Sequence, residues 1–128
     1  MKTPAILIVD DEKKTRDTIR DFLTFRIKCN IHEAEDGEDA LRKLKDNDID
    51  VMLLDIRMPK KNGILVLDEM KALNKDVNTI VITAWDSDLV AEECAKRNVE
   101  CIPKPLTLSE LYNKITKLLI ARGQHLPL

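Results

Sequence analysis

Cysteine is scarce in this chain. Its three residues, Cys29, Cys94 and Cys101, are odd in number and widely spaced, with no C-x-x-C pair among them. That argues against a disulfide framework or a thiolate metal site, and it fits a reduced cytoplasmic protein with three buried or half-buried thiols. Long apolar runs are lacking too. The first, at residues 5–9, stops at Asp10, too short for a signal-peptide core, and no other segment approaches membrane-spanning length. Neither sign of charge is in excess: 21 basic and 23 acidic residues leave a formal net charge of −2. The domain therefore has no electrostatic case for binding nucleic acid or an anionic membrane, and small ions and proteins are the expected partners. Low-complexity tracts are missing, and 44% hydrophobic with 34% charged residues over 128 positions describes one globular domain with a single sizeable core.

What is present is a repeating pattern. Short apolar runs recur at residues 6–9, 51–54, 79–82 and, more weakly, 99–102, and three of them are apolar on successive positions. That is the signature of strands buried on both faces of a parallel sheet. A fifth run, at residues 29–34, alternates as an edge strand does. Between the runs, residues 15–25, 39–45, 64–73 and 89–96 have helical length, with Ile19, Phe22 and Leu23, then Ala40, Leu41 and Leu44, at helical spacing. The last helix carries the spacing of a capping box at Thr107 and Glu110, an apolar stripe from Leu108 to Leu119, and Gly123 to end it. The expected fold is a five-stranded, doubly wound parallel sheet with five helices in three α/β/α layers. In such sheets the site forms outside the carboxyl ends of the strands.

The chemistry-bearing residues stand at those ends. Asp10-Asp11-Glu12 follows the first strand, Asp36-Gly37 the second, Asp55 the third, Thr83 the fourth and Lys104 the fifth. Singly, an aspartate after a strand is an ordinary turn former or helix cap, as Asp36-Gly37 is read here. Jointly, three carboxylates, a hydroxyl and an amine project from one sheet edge. Crowded carboxylates call for a cation, and a hard divalent ion such as Mg²⁺ takes a few carboxylate oxygens together with waters and phosphate oxygens. His32 and His125 are far apart in sequence and give no imidazole cluster for zinc. Lys104 can offer a positive charge and Thr83 a hydroxyl to a phosphoryl oxygen, which together describe phosphoryl transfer onto a carboxylate.

These residues resemble the receiver domain of two-component response regulators: ILIVDDE at residues 6–12, LLDIRMPKKNG at 53–63, VITAW at 81–85 and PKP at 103–105. The resemblance implies a flavodoxin-like fold and a phosphorylation switch in which Asp55 takes a phosphoryl group from a histidine kinase or a histidine phosphotransfer protein. It implies Mg²⁺ held by Asp11 and Asp55, by Asp10 mainly through water, and by the backbone carbonyl of Arg57, with Thr83 and Lys104 on the phosphoryl oxygens. Ala84 and Trp85, just past Thr83, join Cys101 as switch or modulating positions. In the family an aromatic residue stands three before the lysine and swings inward on activation; here that position is Cys101. Either the signal travels through the loop after Thr83 and the fourth helix, or Cys101 fills a packed site while other residues carry the change. Trp85 either gates water or docks a partner, or else it covers apolar surface as a loop residue.

The resemblance further implies a downstream effector domain or protein and allows a homodimer through the last helical face. Residues 1–122 are expected to form the receiver and 123–128 a tail or the start of a linker. Two other functions compete with the switch. A degenerate receiver would serve as a constitutive interaction module, against which stands the presence of Asp10, Asp11, Asp55, Thr83 and Lys104. A Mg²⁺-dependent phosphohydrolase of the haloacid dehalogenase type would carry a second aspartate two residues after its nucleophile, where this chain has Arg57.

Overall fold

A computed structural model describes residues 3–56, 62–73, 77–83, 88–103, 107–121 and 123. Five strands, β1 (Ala5–Val9), β2 (Asn30–Ala34), β3 (Val51–Asp55), β4 (Asn78–Thr83) and β5 (Glu100–Pro103), alternate with five helices. The helices are α1 (Lys13–Arg26), α2 (Gly37–Asp46), α3 (Gly63–Ala72), α4 (Asp88–Lys96) and α5 (Leu108–Ala121). All strand pairs are parallel, in the order β2-β1-β3-β4-β5, so the doubly wound sheet expected from the sequence is the one formed. The reversal of strand order lies between β1 and β3, where such sheets build their sites.

Strand alternation splits the core into two layers. Leu7, Val9, Met52, Leu54 and Val81 face α2, α3 and α4, burying Ala40, Leu41, Leu44, Val66, Leu67 and Met70. Ile6, Ile8, Val51, Leu53, Ile80, Ile82 and Ile102 face α1 and α5, against Ile19, Leu23, Leu111, Ile115 and Leu119. The three continuous apolar runs are thus the central strands β1, β3 and β4, covered on both sides. β2, with its exposed and half-buried positions, is an edge strand, as its alternation implied.

Caps fix where helices begin and end. Asp36 is the N-cap of α2, its Oδ1 accepting the Asp39 N–H at 2.8 Å, and Asn62 caps α3 by accepting from Ile64 and Leu65. Thr107 Oγ1 accepts the Glu110 N–H at 3.1 Å at the start of α5. At the end of α4 the N–H of Val99 reaches the Cys94 carbonyl and that of Asn98 the Ala95 carbonyl, with Asn98 at φ 55°. This is a Schellman closure with asparagine in the left-handed position that usually takes glycine. Gly123, at φ 80°, follows α5 as expected. Arg97 then ties α4 to α3, its Nε and Nη2 donating to Asp68 at 2.8 and 3.1 Å while Nη1 donates to Glu93 at 2.6 Å. These bonds hold the Asp68 and Glu93 carboxyls below the usual carboxylate range.

At the amino end of the sheet, the buried Asp50 carboxylate accepts the Ala5 N–H at 2.8 Å, while the Asp50 N–H donates to the Ala5 carbonyl at 2.9 Å. This reciprocal pair sets the register of β1 on β3. Ile6 then stands beside Val51 and Val9 beside Leu54. A slip of one residue would reverse every side chain of a strand, so a buried pin at one end decides what meets at the other. No helix of the described residues is long and apolar enough to cross a membrane.

Candidate functional site

The register carried past Val9 and Leu54 brings Asp10 abreast of Asp55. Both are buried, at 6% and 8% exposure, while Asp11 is exposed in the turn that follows. One carboxylate oxygen from each of Asp10, Asp11 and Asp55 lies within 4.8 Å of the others. At an effective dielectric near 20, two unit charges that close repel by about 3 kcal/mol, which sets the scale for Asp10 and Asp55. Hard oxygen donors at this separation, two buried and one open to solvent, match what Mg²⁺ requires of a protein: a few carboxylates on one side and room for water and phosphate on the other. A soft-metal site would need thiols or imidazoles, and among the described residues none joins the group.

The turn holding the acidic pair is built from both sides. Asp10 donates its N–H to the Ala34 carbonyl of β2 at 3.1 Å, and its Oδ1 accepts the Glu12 N–H at 2.8 Å. Glu12 is the N-cap residue of α1, with extended backbone, and its carbonyl accepts the Arg16 N–H. From the first turn of α1, Arg16 returns its Nη1 to the Asp10 carbonyl at 2.6 Å and sets its Nε on Glu33 of β2 at 3.1 Å.

Thr83, 2% exposed, ends β4 one residue past Ile82, which is the register partner of Asp55. It stands on the strand next to the carboxylates, as its place in the sequence suggests. On the far side of Asp55, Gly63 opens α3 and sends its N–H to the Ile56 carbonyl at 3.1 Å. A Cβ there would lie 2.9 Å from Ile56 Cα and Cγ1 and 3.4 Å from the Asp55 carbonyl oxygen. The glycine that follows the proline in LLDIRMPKKNG is thus required by close approach of α3 to the residue after Asp55.

Cys101 occupies the row Ala34, Val9, Leu54, Val81, Cys101 that runs across all five strands on the α2, α3 and α4 side. It is half-buried and packs against that core layer, with its thiol near that of Cys94 in α4. Burial first, and the Cys101 thiol second, pushes the Cys94 thiol up to about 12. The three thiols are buried or half-buried, as expected. His32 is half-buried on β2. Arg57, Ala84, Trp85, Lys104 and His125 lie outside the described residues.

Sequence reasoning passed over Arg16. The signal was available, because Arg16 shares a helical face with Ile19 and Leu23, both buried, and a guanidinium on a core-facing stripe implies a buried polar partner. Asp50 was overlooked for a simpler reason, since an aspartate just before a strand gives no sign in sequence of which backbone it will pin.

Residues 6–116 match the family described as the response regulator receiver domain. A cyclic di-GMP phosphodiesterase of Thermotoga maritima is 35% identical over 123 residues, covering 95% of this chain and 33% of that protein. The response regulator MprA of a Mycobacterium species is 33% identical over 117 residues, 89% of this chain and 50% of its own length. The chain therefore spans between a third and half of these curated relatives. Among solved structures, the CheX–CheY–BeF₃–Mg²⁺ complex of Borrelia burgdorferi superposes with a TM-score of 0.83 at 30% identity, covering 91% of this chain and 89% of that one.

Proposed function

The chain belongs to the response regulator receiver domain family, and from that premise we propose that Asp55 is its phosphoacceptor, served by Asp10, Asp11, Thr83, Lys104 and the Arg57 carbonyl. Receiver domains are signalling modules that assist their own phosphotransfer and dephosphorylation and act through phosphorylation of an aspartate. The observation that carries the assignment is the carboxylate trio at the ends of β1 and β3, with Asp55 its member on the central strand.

In this reading an Asp55 carboxylate oxygen attacks the phosphorus of a phosphohistidine on a histidine kinase or phosphotransfer protein. The new O–P bond forms as the P–N bond breaks, and the imidazole leaves with its electron pair. Burial of Asp55 at a strand end holds the nucleophile in one place, and positioning is most of what phosphoryl transfer asks of a protein. Asp10 and Asp11, with Asp55 and the Arg57 carbonyl, would hold Mg²⁺. When bound, the ion neutralises charge on the phosphoryl oxygens and on the crowded carboxylates. The Thr83 hydroxyl and the Lys104 ammonium donate to the phosphoryl oxygens of the product, and their capture of that group changes the surface offered to a downstream effector domain or protein. Cys101, already packed beneath α4, fills its site in this scheme, and the loop after Thr83, with Ala84 and Trp85, carries the response toward α4. We assign residues 1–122 to the receiver and 123–128 to a tail or linker, and place the protein in the cytoplasm.

The Borrelia complex contains Mg²⁺ and beryllofluoride, which supports testing this chain under the same chemistry. Incubated with Mg²⁺ and acetyl phosphate, the wild type is expected to gain one phosphoryl group by intact mass and Asp55→Asn none. A folded wild type that stays unmodified would favour the constitutive module, and steady phosphate release from phosphomonoesters would favour the hydrolase.

A further inference from the structure

Among the described residues outside the carboxylate trio, a polar network centred on Arg16 stands directly behind the acidic turn. The Arg16 side chain is only 12% exposed. Its Nη1 donates to the Asp10 carbonyl at 2.6 Å, and its Nε donates to Glu33 Oε1 at 3.1 Å. Glu33 is in turn held by Arg20, whose Nη1 donates to Glu33 Oε2 at 3.2 Å and to Asp17 Oδ1 at 2.9 Å. The backbone of Glu33 is fixed in β2, and its carbonyl also accepts from Lys43 Nζ at 3.2 Å. The chain of contacts therefore runs from the peptide joining Asp10 to Asp11, through Arg16, to a carboxylate anchored on the edge strand.

What Arg16 grips is informative. At the acidic pair it bonds the backbone carbonyl of Asp10 and not the carboxylate of Asp10 or Asp11, so its grip is on the peptide. A trans peptide is planar, and fixing its carbonyl fixes the direction of the next N–H and the start of the next residue. That next residue is Asp11, exposed and in a turn, with least packing to hold it. The Asp10 side chain has its own support in the Glu12 N–H.

We propose that Arg16 is a positioning residue for the acidic pair: it holds the Asp10–Asp11 peptide in one orientation, so that the exposed Asp11 carboxylate stays beside Asp55 and a divalent ion meets a formed site. The proposal rests on the reading of the trio as a Mg²⁺ site and adds the group that organises it, as outer partners organise metal ligands elsewhere.

The sign of the effect separates positioning from charge. A guanidinium close to a cation site repels the cation, so an Arg16 acting only through its charge would weaken Mg²⁺ binding, and its removal would tighten it. Positioning predicts the reverse. The experiment is calorimetric titration of unphosphorylated protein with MgCl₂ for the wild type, Arg16→Met and Arg16→Lys, with thermal midpoints measured alongside. The Kd for Mg²⁺ in Arg16→Met is expected to rise about tenfold. Arg16→Lys keeps the charge but carries its donors on a single nitrogen, without the planar fork that spans the carbonyl and Glu33, and its Kd is expected to fall between the two. An Arg16→Met protein that is folded and binds Mg²⁺ as tightly as the wild type, or more tightly, overturns the proposal. If Arg16→Met does not fold, Arg16→Lys decides, and a wild-type Kd in that variant overturns it. A wild type that binds no Mg²⁺ overturns the metal-site reading and this proposal with it, whereas failure of the variants alone leaves the site standing.

Discussion

Replacing Gly63 with alanine sets two familiar effects against each other. Gly63 is the first residue of α3, after the Asn62 cap, and its backbone has no need of positive φ. Propensity alone therefore favours alanine, by up to about 1 kcal/mol in a helix interior and by less in a first turn. The new methyl group would meet Ile56 Cα and Cγ1 at 2.9 Å and the Asp55 carbonyl oxygen at 3.4 Å. The side-chain carbon can rotate away; the Cα cannot. Relief requires α3 to move off the end of β3, an overpacking cost of about 1–3 kcal/mol that outweighs the propensity gain. The expected net loss is about 1–2 kcal/mol, or roughly 3–8 °C in Tm for a domain of this size. Urea unfolding followed by circular dichroism measures it, with an unchanged m value showing that the same surface is exposed on unfolding. Phosphoryl uptake should fall as well, since the strain lands on Ile56, the residue bonded to Asp55. An alanine variant with a raised midpoint would refute the steric argument. Gly123 provides the contrast: nothing stands within 4 Å of its absent Cβ, but its φ is 80°, so alanine there costs about 1 kcal/mol through backbone alone and leaves the site untouched.

Two further outcomes follow from caps and burial. Asn98 at φ 55° closes α4, so Asn98→Val should lose about 1–2 kcal/mol while Asn98→Gly stays neutral or gains, both read from denaturant midpoints; equal losses in the two would contradict the left-handed assignment. Burial pushes the Cys94 thiol from 9.0 up to about 12, so the folded protein keeps a proton that the unfolded chain releases. Its contribution is complete below pH 9.0 and is lost as pH rises toward about 12. Cys94→Ala should therefore show a shallower alkaline decline in urea midpoint than the wild type, and parallel declines would remove Cys94 as its source.

The central architecture was readable because its cause is local. β1, β3 and β4 are buried on both faces, so their middle residues are apolar in succession, and each run ends where a carboxylate or hydroxyl reaches the sheet edge. Asp10, Asp11, Asp55 and Thr83 stood out for that reason. Helix ends were harder to read. Apolar spacing suggested α1 at residues 15–25, yet it runs from Lys13 to Arg26, because terminal turns are polar and leave no mark on an apolar pattern. β2 begins at Asn30 instead of Cys29, since the Asn30 N–H pairs with the Pro4 carbonyl while Cys29 packs against the α1 and α5 layer. Long-range pairings gave no local sign at all. Nothing near Asp50 announces that it will pin Ala5, and nothing near Glu33 announces Arg16, although the first sets the register of the site and the second grips its backbone. Cys101 was visible as a departure from the family pattern. That it shares a row with Val81 on the side of the sheet that carries Cys94 became clear only from the pairing of β4 with β5.

The central claim is that Asp55, and not its acidic neighbours, carries the phosphoryl group. The direct measurement is reductive trapping: the protein is treated with acetyl phosphate and Mg²⁺, then with borohydride, which converts an aspartyl phosphate to homoserine, and the altered position is located by peptide mass spectrometry. The account predicts a single conversion at position 55, absent when Mg²⁺ is chelated. Conversion at position 10 or 11, or none in a folded protein with Mg²⁺ bound, would contradict it.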